Sequence, residues 1–279
     1  MRKLSYLRVI SFLFLGILGT LLMNCRSQDS LEKVLIIQDE LLHIEALAPY
    51  LQQEGTLNVT VIDQAALPND FAIYKAILLF IHGELERQTE TRVIQYTRNG
   101  GRLIVLHHSI SSGKAENPHY FDFLGIHLSD PENSSGPVQP GGGYGWRHQE
   151  ANGEGVTLTL TNLSADHYIT NHNVRWPDTV QYQPSDFPSV EREYPAIHLP
   201  NSEVYLNHKF TDGRQKVVLM GLKYYDDRID HLFMQDRAGW IKPQGEGEVV
   251  YLIPGQSVED YQNPNIAQMV LNAIQWQQE

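Results

Sequence analysis

Cysteine is almost absent. One residue in 279, Cys25, excludes a disulfide framework and a thiolate metal site. Long apolar runs are missing too. The apolar segment Val9 to Met23 spans 15 residues, short of a comfortable membrane-spanning helix. Positive charge is scarce: 21 Lys and Arg face 33 Asp and Glu, a net charge of −12, which argues against nucleic acid or an anionic membrane surface as partner. No Gly-x-Ser-x-Gly elbow marks a nucleophilic serine, and no His-x-x-x-His pair marks a metal helix. The triple glycine at 141–143 follows no strand and is followed by no phosphate-loop lysine, so it reads as loop. There is no internal repeat and no low-complexity tract.

What is present begins at the N-terminus. Arg2, Lys3 and Arg8 precede the apolar segment, and Leu22-Met23-Asn24-Cys25 follows it. This resembles a bacterial lipobox, with leucine at −3 and Asn24 in place of the usual small residue at −1. The expectation is a signal peptide over 1–24, lipidation at Cys25, a tether over 25–32, and a location in the bacterial cell envelope. Removal of the three basic leader residues would bring the net charge to about −15. The remainder, 33–279, is long enough for one α/β domain, and no linker divides it.

Hydrophobic patterning predicts strands at 33–37, 58–62, 76–81 and 103–106, with helices over 44–51 and 89–98 between them. Gly55 and Asn99-Gly100-Gly101 supply the helix stops. Strands that are apolar throughout, not alternating, imply a parallel sheet covered on both faces. A short helix is expected within 117–124 and a polar, glycine-rich loop over 129–155. Further strands are expected at 156–160, 203–206, 216–221 and 248–253. Asn263-Pro264 caps a closing helix.

Twelve histidines occur, and their placement matters more than their number. His43 follows the first strand, His82 the third, and His107 and His108 the fourth. In an open parallel sheet, ligands bind outside the carboxyl ends of the strands. Imidazoles distant in sequence could therefore converge on one rim, together with Asp39, Glu40 and Glu84. Histidine with carboxylate suits acid–base work near neutral pH or a divalent metal, and the residues alone do not choose between them. Tyr144, Trp146, Tyr205 and Trp240 could stack on a sugar ring or simply pack.

The order of these features resembles the trehalose-utilisation (ThuA-like) family, over about residues 33–277. Val34 to Ile37 with His43 and Glu45 resembles the family's first strand and the polar residues after it. Gly100 to His107 resembles its Gly-Gly-apolar-Leu-His strand, and Tyr120 to Gly125 its Tyr-x-x-Leu-x-Gly segment. His148 is similar to a later family histidine, and Asp166-His167-Tyr168-Ile169-Thr170 to its Asp-His-His-Pro-Ile-Thr. Ser202-Glu203-Val204-Tyr205 is similar to its Asp-Glu-x-Tyr, and Trp240 before Gly245 to Val249 matches another segment. Three motifs depart: the second His and the Pro of Asp-His-His-Pro are missing, Ser202 replaces an aspartate, and Gly255-Gln256 replaces Gly-His.

The resemblance implies a flavodoxin-like three-layer α/β sandwich of the class I glutamine amidotransferase type, with a mostly parallel central sheet elaborated by long loops. Amidotransferases carry a nucleophilic cysteine where His107 stands, so glutamine hydrolysis is not implied. It implies instead action on a carbohydrate, a sugar or keto-sugar, of hydrolase or isomerase type. His107, His148 and Glu203 would then be catalytic. His43, His108, Tyr205, Asp166, His167 and Trp240 would contact the substrate. The cofactor is unknown, with a divalent metal as one option. The altered motifs keep open a non-catalytic envelope protein that only binds a ligand or partner.

Overall fold

A computed structural model describes residues 31–128, 143–186, 191–213 and 216–277. The expected signal peptide, Cys25 and most of the tether lie outside the described residues. No helix among the described residues is long and apolar enough to cross a membrane.

The first half follows the expected alternation. Strand β1 (Lys33–Gln38) leads to α1 (Leu41–Gln53) and β2 (Asn58–Ile62); β3 (Ala76–Phe80) leads to α2 (Arg87–Arg98) and β4 (Arg102–Leu106). Then come α3 (Tyr120–Leu124), β5 (Ile126–His127), β6 (Gly145–Arg147), β7 (Val156–Asn162) and α4 (Tyr168–Asn171). The chain continues through β8 (Asp178–Tyr182), β9 (Arg192–Ser202), β10 (Val204–Leu206), β11 (Lys209–Phe210), β12 (Val217–Asp226) and β13 (His231–Gln244). It closes with β14 (Gly247–Leu252), α5 (Val258–Gln262) and α6 (Pro264–Gln275).

Ten strands form one sheet in the order β2-β1-β3-β4-β14-β13-β12-β7-β9-β8. The first five are parallel, and from β14 onward every pairing is antiparallel. In β3 every residue is buried, as a strand covered on both faces requires. β2, at the edge, is only half-buried. The crossovers β1-α1-β2 and β3-α2-β4 run in opposite directions along the sheet. Right-handed connections then put α1 and α2 on opposite faces, which makes three layers. On α1's side α5 and α6 pack against it, and α3 packs against α2. Residues Glu32 to Glu279 form one compact unit.

The antiparallel half carries the strands that hydrophobic patterning missed, β8, β9 and most of β13. β13 includes Asp236, Arg237, Lys242 and Pro243, which interrupt any apolar run. These polar groups are held inside by specific partners. Asp236 accepts from the Tyr182 hydroxyl at 2.8 Å and from the Asp186 amide at 3.0 Å, and Lys242 donates to the Phe123 carbonyl at 3.1 Å. Part of the expected 129–155 loop is also regular: β6 pairs with β10, setting Trp146 opposite Tyr205.

Because β1, β3, β4 and β14 are parallel, their carboxyl ends share one rim. Asp39 and Glu40 leave β1 there, His82 follows β3, His107 and His108 follow β4, and Pro254-Gly255-Gln256 follows β14.

Candidate functional site

His107 begins a short 3-10 turn directly after β4 and has φ +46°, a left-handed conformation that is strained for a residue with a side chain. Its ring is fully buried. Nδ1 lies 2.7 Å from the Ile253 carbonyl, and Nε2 lies 2.9 Å from Gln256 Oε1 and 3.2 Å from Glu203 Oε2. A carbonyl and a carboxylate can only accept, so both ring nitrogens must carry protons and His107 is an imidazolium. Burial opposes that charge, but the hydrogen bond and field of Glu203 outweigh it and raise the pKa. Conversely, burial would raise the Glu203 carboxyl, and His107 with the Tyr205 hydroxyl holds it below the usual range.

Tyr205 packs its ring 5.3 Å from His107, and Tyr144 stacks on Tyr205 at 6.2 Å. On the other side Gly255, at φ +139°, lets the chain turn against this ring. A Cβ there would meet the Tyr261 hydroxyl at 2.5 Å and His107 Cβ at 3.0 Å. Asp260 then takes the Gly255 and Gln256 amides at 2.9 and 3.0 Å, which fixes the Gln256 turn. The result is a sealed ion pair with every polar end of His107 occupied.

His108 turns the other way. Its Nε2 lies 3.2 Å from Glu40 Oε2, and its ring rests 4.4 Å from Phe80 and stacks at 4.8 Å on His82. Burial lowers its pKa to about 4, the bond to Glu40 opposing. Glu40 also takes His82 Nδ1 at 2.7 Å; the His108 bond, then His82, hold this carboxyl at about 2 against its partial burial. His43 sits beside them, with Nε2 3.1 Å from the Gln256 carbonyl and Nδ1 3.5 Å from Glu40 Oε2.

Two groups stiffen this cluster from below. Asp39 accepts the His82 and Gly83 amides, both at 2.7 Å. Lys114, fully buried, donates to the carbonyls of His82 at 2.8 Å and His108 at 3.1 Å and to Ser111 Oγ at 2.9 Å. Burial brings its pKa down to about 7. Nothing in the sequence separates Lys114 from a surface lysine, and only the tertiary fold gives it three acceptors.

The structure thus gathers His43, His107, His108, Glu203 and Tyr205 at one rim, with Glu40 and His82 as their strand-end positions predict, and adds Gln256 and Asp260. It does not bring in the others. His148 is exposed and stacks on Trp146 at 5.0 Å; among the described residues it makes no hydrogen bond or ion pair with His107 or Glu203. Trp240 is a core residue with no exposed face, enclosed by Phe210, Tyr251 and Lys216. The packing alternative holds for it, and it cannot stack on a sugar.

Asp166 and His167 lie at the opposite edge. His167 packs 5.1 Å from Trp276, which in turn lies under Arg102 at the start of β4, the far end from His107. The larger described cavities are away from the rim as well. One of about 680 Å³ is lined by Asn162, Asp166, His167, Arg192 and Tyr194; one of about 360 Å³ by Asn69, Lys75, Arg92 and Gly100. Volume alone would point to them, and the larger has Asp166, His167 and Glu193 in its lining; but among the described residues the His and carboxylate donors that converge within 4.8 Å are Glu40, His82 and His108 at the rim.

Similarity to known proteins agrees with this geometry. The family model for ThuA, described as trehalose utilisation, matches residues 33–277. The chain belongs to the ThuA family. A crystal structure of a ThuA-like protein from Bacteroides uniformis is similar at 14% identity and TM-score 0.52, over 87% of this chain and 89% of that one. A β-galactosidase from Bacillus circulans is similar at 9% identity and TM-score 0.51, over 85% of this chain but only 30% of the galactosidase. A glutamine amidotransferase from Thermotoga maritima is similar at 10% identity and TM-score 0.42. No curated protein sequence matches. At these identities the structures speak to the fold alone, the layered α/β sandwich shared with the ThuA-like protein. ThuA membership supports a carbohydrate-related role.

Proposed function

We propose that this ThuA-family protein acts on a sugar or keto-sugar at the rim formed by the ends of β1, β3 and β4. The observation that carries this is the Glu40 carboxylate held between His82 and His108 at the rim, with the His82 side chain 65% exposed. In such a set the exposed His82, oriented by Glu40 through its Nδ1, can take a proton from a sugar hydroxyl or a carbon beside a carbonyl, and return it. His107 and Glu203 lie beneath as a saturated ion pair, so their part is to position the rim rather than to exchange protons with substrate. Hydrolase or isomerase chemistry suits the set, and the family's link to trehalose utilisation supports the substrate class.

The test is incubation of the full-length protein with disaccharides, sugars and keto-sugars, with products read by NMR. Turnover that falls at least about tenfold in Glu40→Gln and in His82→Ala supports the proposal, given what a positioned acid or base contributes. Turnover unchanged in both variants overturns it.

A second reading is a non-catalytic ligand-binding protein. What favours it is Gln256, whose side chain occupies His107 where the family motif carries a histidine. Sugar binding without turnover would establish this reading.

We place the protein in the bacterial cell envelope, held by a lipid on Cys25. The basic start, the apolar segment of 15 residues and the only cysteine in the chain, directly behind them, support this. Metabolic labelling with a fatty-acid analogue should mark the wild type and not Cys25→Ser.

A further inference from the structure

We propose that Glu40, His43, His82 and His108 form a binding site for one divalent cation of the zinc class. The inference concerns the ligand set alone and does not depend on a sugar being the substrate.

Three imidazoles from three chain segments point at one carboxylate. Glu40 caps α1 and His43 lies in its first turn, His82 follows β3, and His108 follows β4. One donor atom each from Glu40, His82 and His108 lie within 4.8 Å of one another. Around a tetrahedral ion with bonds near 2.1 Å, donor atoms stand about 3.4 Å apart. His108 Nε2 and His43 Nδ1 lie 3.2 and 3.5 Å from Glu40 Oε2, already close to that edge. His82 Nδ1, at 2.7 Å from Oε1, has to move outward, and its exposed side chain leaves it room.

His43 supplies the observation that a hydrogen-bonded cluster alone leaves unexplained. Its Nε2 faces the Gln256 carbonyl, which only accepts, so Nε2 carries the proton. In the neutral ring Nδ1 is then a bare lone pair. It is buried, has no hydrogen-bond partner among the described residues, and is aimed at a carboxylate oxygen. At 3.5 Å Nδ1 makes no hydrogen bond to Glu40 Oε2, unlike His107 to Glu203, and a cation between the two satisfies both. A backbone carbonyl on the far nitrogen is the usual device that fixes the tautomer of a metal-binding histidine.

The support around the set is of the same kind. Lys114 ties the backbones of His82 and His108 together, Asp39 clamps the His82 loop, and Phe80 makes an apolar floor 5.4 Å from His43 and 4.4 Å from His108. Three imidazoles with one carboxylate suit zinc over magnesium or calcium, which prefer all-oxygen sites. On binding, the cation takes the place of the protons that bridge Glu40 to His82 and His108; in a neutral ring the proton moves to the other ring nitrogen, and only a doubly protonated ring releases one to solvent.

The experiment uses the full-length protein carrying no histidine tag, stripped with chelator and titrated with Zn²⁺, Mg²⁺ and Co²⁺. Expected are one equivalent of Zn²⁺, no competition by Mg²⁺, and the visible absorption of tetrahedral Co²⁺. His82→Ala and His43→Ala should each weaken Zn²⁺ binding by at least about tenfold, and His148→Ala should leave it unchanged. Since His82 is exposed, its variant should keep the wild-type unfolding midpoint without metal, which separates a lost ligand from a lost fold. Well under one equivalent of Zn²⁺ on cooperatively folded protein would overturn the proposal. So would binding that His82→Ala and His43→Ala leave as tight as wild type. Zn²⁺ binding without any sugar turnover would uphold this site while ending the catalytic reading above; turnover indifferent to chelator, with no Zn²⁺ bound, would do the reverse.

Discussion

His107 and His108 are consecutive, and their rings are 4.9 Å apart, yet they serve two different regions. One region is closed. His107, Glu203, Tyr205 and Gln256 satisfy one another, with the His107 ring inaccessible and the Glu203 side chain 11% exposed. The other is open. Glu40 and His82 reach water, and His43 keeps an unpartnered nitrogen. The turn after β4, which starts with His107 at φ +46°, sends the two rings to different partners, Glu203 and Glu40, so one dipeptide serves both. The lesson is that a histidine at a strand end is not one kind of evidence. The closed pair holds the rim's shape, and the open set is where a ligand can be met.

The largest break in this comparison should come from Glu203→Gln. Removing one partner of a buried pair leaves the other charge uncompensated, so about 3 kcal/mol or more of stability should be lost. Glu40→Gln in metal-free protein, with its carboxylate partly in water, should cost under about 1 kcal/mol. Urea unfolding of both variants is the check. Equal losses would mean the two regions are not different in kind.

Next comes Gly255→Ala, which presses on the closed region directly and reaches the open one only through the Gln256 carbonyl on His43. Its φ of +139° disfavours any side chain, and the new Cβ would press on Tyr261 and His107. A loss of about 2 kcal/mol is expected from that backbone strain. Wild-type stability in this variant would show that the Gln256 turn is not held against His107.

Acid sharpens the comparison further. Glu203 has its pKa lowered from the ordinary 4.5 by His107 and Tyr205, against its burial. A carboxylate so lowered contributes stability that is present above 4.5 and lost as pH falls through its folded value. The gap in urea midpoint between wild type and Glu203→Gln should therefore be widest between about pH 5 and 6.5, shrink below pH 4.5 as Glu203 is protonated, and shrink again as pH rises through the raised value of His107. A gap that does not change down to pH 3.5 would argue against an ionised Glu203.

How far the sequence showed all this depends on the half of the sheet. β1, β3 and β4 are short uniform apolar runs, and a run of that kind has few alternatives to a parallel strand covered on both faces. From them the fold and the location of the rim both follow. β13 was illegible because its charges are paid for by partners on other elements, such as Tyr182 and Asp186 for Asp236, that no local pattern can show. At the rim, the convergence of His43, His82, His107 and His108 was legible from strand ends alone. Their division into closed and open groups was not, since it rests on Asp260 and Lys114, which look ordinary in sequence, and on Gln256, whose departure from the family motif does not show that it would reach His107. Trp240, Asp166 and His167 were drawn to the site by motif resemblance; the fold buries the first and places the other two at the far edge.

The smallest expected effect is at His148, and it bears on the boundary of the open region. His148 is exposed, and its ring lies flat on Trp146 at an interplanar angle of 17°. Trp146 is paired across β6 and β10 with Tyr205, which touches His107. His148 is therefore three contacts removed from the buried pair, with only a surface ring stack to lose. His148→Ala should change stability by no more than about 0.5 kcal/mol, the usual range for such surface sites. Sugar affinity measured by calorimetry should match wild type, because no member of the Glu40 set touches this ring. If His148→Ala instead abolished sugar binding with stability unchanged, the ligand would have to reach across Tyr205 to β6. The open region would then extend over the closed one, and the division between His107 and His108 would describe the unliganded protein only.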